Sequence, residues 1–150
     1  MNYSFSRKIN KILVTGGLGF IGGAYITRLL SETDINIFNL DKYGYASDES
    51  NIRDVILKKK KFENYKYYNA NLENIDLLKK IVDEVKPDLI VHFAAETHVD
   101  RSIDNPNQFL NSNIIGTFNL LQVTLNYYQT LNPEKKSLFR FHHISTDEVF

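Results

Sequence analysis

Apolar residues in this chain follow two rhythms. Short apolar runs stand at Ile12-Leu13-Val14, at Ile35 to Leu40 and at Leu89-Ile90-Val91. Runs of this kind suit strands of a parallel sheet, buried on both faces. Between them the apolar positions recur every three or four residues, the period of a helix packed along one side. The plainest case is Leu72 to Val85, with apolar residues at 72, 75, 77, 78, 81, 82 and 85.

Taken in order, the pattern predicts a loose leader over 1–8, a strand from Lys11 to Thr15 and a helix from Phe20 to Glu32. A second strand follows from Ile35 to Leu40. Tyr43 to Ser50 reads as a polar loop. Ser50-Asn51 is placed to cap a helix running to about Lys61, and Lys58 to Lys61 reads as its solvated end. Tyr65 to Asn69 is a third strand. The Leu72–Val85 helix is stopped by Pro87, and Asp88 to Phe93 is a fourth strand. Pro106 opens a long helix over about Asn107 to Gln129, which Asn132-Pro133 ends. A fifth strand spans Leu138 to Ile144, before Ser145-Thr146-Asp147-Glu148-Val149-Phe150. Strands alternating with helices predict a doubly wound α/β sheet of Rossmann type with right-handed crossovers. The last strand has a polar tip and no helix behind it. That is an unusual place for a domain to stop, so the expectation is an incomplete domain, truncated after the fifth strand.

The first strand runs straight into Thr15-Gly16-Gly17-Leu18-Gly19-Phe20-Ile21-Gly22, with glycines spaced G-x-x-G-x-x-G at 16, 19 and 22. Gly16 allows a sharp turn, Gly19 a close backbone approach to a pyrophosphate, and Gly22 close packing of helix on sheet. The free N–H groups and positive dipole end of the helix then face the phosphates. A tight turn with no ligand is the plain alternative. A second feature weighs against it: the second strand ends in Asp41, a carboxylate placed for the adenosine ribose diol. Asp41 repels a 2′-phosphate, so NAD is favoured over NADP, a preference that Lys42 weakens slightly.

Composition narrows the class. The 150 residues are one domain's worth, and 18 basic residues balance 18 acidic ones for a net charge of zero. No basic face for nucleic acid and no charged tail stand out. There is no cysteine, which removes disulfides, thiol catalysis and Cys-ligated zinc. No His/Asp/Glu spacing resembles a metal site. Met1 to Lys8 lacks the apolar core of a signal peptide, and no apolar run has membrane-spanning length. A soluble cytoplasmic protein is expected.

In an open α/β sheet, ligands bind beyond the carboxyl ends of the strands. Two further polar clusters fall there. Ala94 and Ala95 leave room for a cofactor, followed by Glu96, Thr97, His98, Asp100 and Arg101; the plain reading is a solvated loop with an internal ion pair. Thr146-Asp147-Glu148 sets a hydroxyl beside two carboxyls, a pair able to act as acid and base; the plain reading is a helix cap or surface charge. His92, His142 and His143 lie within strands and read as packed histidines rather than catalytic ones.

Five blocks together resemble one family. They are Thr15 to Gly22; Asn39-Leu40-Asp41-Lys42 with Tyr45-Ala46; His92-Phe93-Ala94-Ala95-Glu96-Thr97-His98-Val99-Asp100-Arg101-Ser102-Ile103; Asn113-Ile114-Ile115-Gly116-Thr117; and Ile144-Ser145-Thr146-Asp147-Glu148-Val149. The chain is similar, from about residue 10 to 150, to the extended short-chain dehydrogenase/reductases, and within them to the dTDP-glucose 4,6-dehydratases. The glycine block is common to the superfamily; the third and fifth blocks are far more specific to nucleotide-sugar dehydratases.

The resemblance implies that Phe20 and Ile21 lie along the pyrophosphate turn, that Lys42, Tyr43 and Gly44 wall the ribose held by Asp41, and that Asn71 and Leu72 meet the adenine edge. Ala94, Ala95 and Glu96 would line the nicotinamide side, with Ser112 touching the cofactor from the long helix. Thr97 would contact the sugar nucleotide. Thr146 would hydrogen-bond near the sugar's C4 oxygen, Asp147 would protonate the departing C6 hydroxyl, and Glu148 would take the C5 proton. The implied reaction is NAD-dependent oxidation at C4 of dTDP-glucose, loss of water across C5–C6, and return of the hydride to C6. A homodimer paired through the long helix is implied for the full-length protein.

Asn71 replaces the family's usual Asp, Thr97 its Ser and Phe150 its Tyr. The superfamily's Tyr-x-x-x-Lys pair, whose tyrosine starts C4 oxidation, would fall some residues beyond 150 and is absent from these 150 residues, as is the nucleotide-gripping domain. The 150 residues alone are therefore expected not to turn over. A nucleotide-sugar 4-epimerase or a UDP-glucose 4,6-dehydratase is the competing enzyme reading; the former needs no Asp147-Glu148 pair. A non-catalytic NAD-binding module is the competing reading of another class.

Overall fold

The computed structural model describes residues 8–44, 47–97, 103 and 105–146. Five parallel strands, β1 (Lys11–Thr15), β2 (Asn36–Asp41), β3 (Tyr65–Asn69), β4 (Leu89–His92) and β5 (Arg140–His143), form one sheet in the order β3-β2-β1-β4-β5. Thr15 sits opposite Leu40 on one side and His92 on the other. The three central strands therefore end level, and the chain leaves each at the same edge.

Alternation along the strands divides the core. Ile12, Val14, Leu89 and Val91 face helices α1 (Phe20–Glu32) and α2 (Ser50–Lys59), packing on Ile26, Leu29, Leu30 and Ile52. Leu13 and Ile90 face the other way, onto Leu78, Ile81 and Val82 of α3 (Ile75–Val85) and onto Leu120 and Val123. Both layers exclude water, and each fully buried Leu or Ile contributes roughly 1.5–3 kcal/mol. The chain winds outward from β1 through β2 to β3, then α3 carries it back to β4 on the far side of β1. That reversal leaves a crevice over the carboxyl ends of β1 and β4.

The long helix is one rod with an irregular middle. α4 (Pro106–Phe109) passes into a π-helical segment (Leu110–Gly116), then into α5 (Thr117–Thr130). The apolar period did not distinguish the π-helical turns, because they preserve the chain's direction while rotating the side chains.

Several boundaries differ from the sequence expectation. α3 begins at Ile75, not Leu72: the Asn74 side chain caps it by accepting from the Leu77 N–H at 3.0 Å, and Leu72 is buried in the preceding turn. Ser50-Asn51 does not cap α2, whose N-cap is Glu49 without a side-chain cap; the Ser50 N–H donates to Asp48 instead. A short helix, α6 (Pro133–Leu138), precedes β5, capped by Asn132, which accepts from the Lys135 N–H at 2.8 Å. β5 is the sheet's edge strand, so His142 and His143 are exposed rather than packed. The leader expected over 1–8 lies, but for Lys8, outside the described residues.

His92 does pack. It has no exposed surface and is hydrogen-bonded to Thr15 Oγ1 through Nδ1 at 2.6 Å and to Thr117 Oγ1 through Nε2 at 3.0 Å, tying β4 to β1 and to α5. Burial, helped by His143, lowers its pKa from 6.5 to about 4. The unfolded chain thus binds a proton that the folded one refuses between those values. The His92 contribution to stability is expected to fall as pH drops from 6.5 to about 4, by up to about 3 kcal/mol. Urea unfolding of wild type and His92→Gln at matched pH should show the difference between them shift in the variant's favour over that range; a difference that does not change with pH would contradict the assignment.

Candidate functional site

The turn after β1 is built of backbone contacts. Gly16 has φ +74°, and a Cβ there would lie 2.5 Å from the backbone nitrogen of Ala94, at the tip of β4. Its N–H donates to the Leu40 carbonyl at 3.0 Å, fastening the turn to β2 as well. A Cβ on Gly22 would drive into the Gly16 carbonyl oxygen, and one on Gly17 into the Asn39 carboxamide and Ile26. The G-x-x-G-x-x-G reading passed over Gly17; only the doubled glycine signalled it. Gly19 differs: its missing Cβ would meet only the Gly16 oxygen, at 3.4 Å, so that side of the turn is open.

Gly19 is the N-cap of α1, with no side-chain cap and no acidic residue in the first turn. The N–H groups of Phe20, Ile21 and Gly22 therefore find no acceptor within the helix, while that of Gly23 returns to the Gly19 carbonyl at 2.7 Å. An uncapped helix start beside an open glycine is chemically suited to an oxyanion pair.

Beyond the strand ends lies a cleft of about 720 Å³, counted with its solvent-open space. Of the residues singled out from the sequence, Gly16, Gly19, Asp41, Lys42, Gly44, Asn71, Leu72, Ala94, Ala95, Glu96 and Ser112 line it. Leu40, Ser47, Ala70 and Phe93 line it too and were not foreseen. Phe20, at 94% exposure, and Ile21 project into solvent, so only their backbone faces the turn. Gly22 lies beneath the turn, Tyr43 and Thr97 are exposed, and Thr146 is exposed beyond β5. Asp147 and Glu148, with Tyr45-Ala46 and His98 to Ser102, lie outside the described residues.

Asp41 does more than stand at the ribose position. Its Oδ2 accepts from the Leu18 N–H at 2.8 Å, bracing the glycine turn. Burial raises its pKa from 3.8 to about 6, against the pull of the Leu18 N–H and of Lys42, with Glu96 adding to the rise. Glu96 binds Lys42 Nζ at 2.8 Å and accepts from Gln108 Nε2 at 3.0 Å. Its backbone is held at two points by the Asn113 carboxamide, at 2.8 and 3.0 Å. Asn119 Nδ2 donates to the Leu72 carbonyl at 3.1 Å, and a Cβ on Gly116 would come within 2.9 Å of Leu72 Cβ. Sequence reasoning missed Gln108 and Asn119; polar residues on an apolar helix face were their one signal. The π-helical segment is what turns Ser112 and Asn113 toward the β4 tip while Gly116 packs toward β3.

The sequence profile of the GDP-mannose 4,6 dehydratase family matches residues 13–150. The chain belongs to this family. It is 44% identical over 140 residues to a dTDP-glucose 4,6-dehydratase of Shigella flexneri, which covers 93% of this chain and 38% of that protein. Among solved structures, the dTDP-glucose 4,6-dehydratase of Bacillus anthracis in complex with NAD matches with a TM-score of 0.72 at 30% identity, over 93% of this chain and 38% of that one. The UDP-Glc/GlcNAc 4-epimerase of Campylobacter jejuni matches with a TM-score of 0.74 at 28% identity, over 92% and 37%. The chain thus spans about 38% of the length of the curated relative named. Among the described residues no helix of this family member is long and apolar enough to cross a membrane.

Asp41→Asn keeps an oxygen for the Leu18 N–H and removes a buried charge. A carboxyl with a raised folded pKa adds stability below its unfolded value and loses it as pH rises through about 6. Above that pH the variant is expected to be more stable than wild type by about 1–2 kcal/mol, the worth of the raised pKa reduced for solvent screening at a partly exposed carboxyl. Urea unfolding at neutral pH and near pH 4 checks this: a gain at neutral pH only is expected, and a loss at neutral pH would contradict it.

Proposed function

We propose that this chain is the NAD-binding part of a cytoplasmic dehydratase of nucleotide-sugar metabolism. The whole protein converts dTDP-glucose to dTDP-4-dehydro-6-deoxy-glucose. The observation that carries the proposal is the cleft at the β1–β4 switch point. There an uncapped, acid-free helix start, an open Gly19 and the Asp41 carboxylate lie together at the strand tips. Those features fit a dinucleotide: N–H groups for its diphosphate, a carboxylate for its ribose, small Ala94 and Ala95 for its flat rings. The kinship to dTDP-glucose 4,6-dehydratases supports the substrate.

Bound there, NAD would supply the acceptor for the hydride at the sugar's C4 and the donor for C6. This chain's residues do the rest of their share by position and proton transfer. Gly16, Gly19 and the N–H groups of Phe20, Ile21 and Gly22 seat the diphosphate. Asp41 holds the ribose, walled by Lys42, Tyr43 and Gly44. Asn71 and Leu72 meet the adenine, and Ala94, Ala95, Glu96 and Ser112 line the nicotinamide side. Thr97 contacts the sugar nucleotide. Thr146 hydrogen-bonds the C4 oxygen, Asp147 protonates the leaving C6 hydroxyl, and Glu148 removes the C5 proton made acidic by the C4 ketone. Residues 1–150 are an incomplete Rossmann-type domain in this reading, and alone they do not turn over.

Self-association has its own support. Leu110, Ile114, Phe118, Leu121 and Leu125 form an exposed apolar stripe along the long helix, opposite buried Leu120, Val123 and Tyr127. A homodimer would bury it.

The kinship to a 4-epimerase keeps that activity as the second reading. Incubating the whole protein with NAD and dTDP-glucose, then reading the product by NMR, separates the two. The 6-deoxy-4-ketosugar is expected, with Glu148→Gln lowering kcat by about 10²–10⁴-fold. A C4 epimer, or turnover of UDP-glucose in preference, would overturn the proposal.

A further inference from the structure

The sheet order places β2 and β4 on either side of β1, and the glycine turn rises from β1 between them. Two strand spacings separate the outer tips, about 10 Å. Lys42, just past β2, and Glu96, just past β4, close that distance with an ion pair of 2.8 Å. Both line the cleft. The pair therefore passes across the mouth of the crevice above β1, where a diphosphate seated on the glycine turn would lie.

This pair differs from the other ion pairs among the described residues. Arg28–Glu32, Arg53–Glu49 and Lys79–Asp83 are one-turn pairs on helix surfaces, Lys66–Glu84 is more than half exposed on both sides, and Lys61–Asp34 has an almost wholly exposed carboxylate. In Lys42–Glu96 the carboxylate is 14% exposed and the lysine 36%. The carboxylate end is also fixed: Gln108 donates to it, and Asn113 holds the Glu96 backbone at two points. The lysine end is the more exposed of the two, on a long flexible stem at the rim. A fixed acceptor holding such a cation across a cleft is a clasp.

We infer that Lys42 and Glu96 clasp the bound dinucleotide and slow its release. The inference rests on the NAD reading above. It has a chemical motive there: a reaction that removes a hydride and later returns it needs the carrier to stay between the two halves. Lys42 and Glu96 are positioning residues in this role, acting on residence time rather than on the reacting atoms.

The test is the rate at which NADH leaves the loaded whole protein, followed by fluorescence after mixing with excess unlabelled NAD. Lys42→Met and Glu96→Gln are each expected to release NADH about tenfold faster, in koff rather than kon. The charge swap Lys42→Glu with Glu96→Lys is expected to recover most of that loss, because the pair and not either residue does the holding. Wild-type release should quicken with added salt as the rim is screened, and Glu96→Gln should lack that response. The salt series reads the clasp without any substitution, so a variant that folds poorly leaves the question answerable. If Lys42→Met is fast while Glu96→Gln matches wild type and the swap recovers nothing, Lys42 contacts the cofactor alone and the clasp falls. If wild type retains no NADH at all, the cofactor reading falls and the clasp with it.

Discussion

The structure depends on how closely two backbones approach at the centre of the sheet. After β1 the chain must turn within a few residues into α1 while passing against the tip of β4. A single methyl group at position 16 would overlap the Ala94 nitrogen, and one at position 22 would overlap the turn itself. Absence of side chains is thus the condition for strand, turn and helix to meet. It also leaves the first amides of α1 facing outward, at the edge where the three central strands end level. A packing constraint and a binding surface are the same feature here.

The walls of the cleft are supported from one side. The rod from Pro106 to Thr130 reaches the β4 tip through Gln108, Ser112 and Asn113, and the β3 tip through Gly116 and Asn119. A straight α-helix repeats its faces every 3.6 residues, which limits what it can present to two separate loops. The π-helical stretch Leu110–Gly116 shifts that phase, as such segments often do near functional sites. Below it, His92 links the strand before the glycine turn to the same rod through two threonines. The floor, the far wall and the helix are therefore tied together.

The frame of this fold was legible because it is written in repetition. Buried parallel strands are mostly apolar, the glycine turn follows the first of them, and a carboxylate ends the second; β1, α1 and β3 were placed to the residue. The departures have local causes. A side-chain cap at Asn74 started α3 later than its apolar stripe, since Leu72 is buried by the turn and not by a helix. Asn132 and Pro133 began a helix as well as ending one. The packing of His142 and His143 could not be read from alternation, which gives the face of a residue but not whether anything covers it. For the cleft, the strand-tip residues were legible from position. Asn113 was visible only through family resemblance, and Gln108 and Asn119 only as polar residues on an apolar helix face, because their contacts depend on a change of helical phase that the apolar period does not record.

The central claim is that the β1–β4 crevice is a dinucleotide site assembled from the glycine turn and the two flanking strand tips. Amide hydrogen exchange of the whole protein, with and without NAD, tests it most directly. The amides of Phe20 to Gly22, of Asp41 to Gly44 and of Ala94 to Glu96 should exchange more slowly with NAD bound, while α2 stays unchanged. Protection concentrated between α1 and α2, or none at the glycine turn under saturating NAD, would contradict the account.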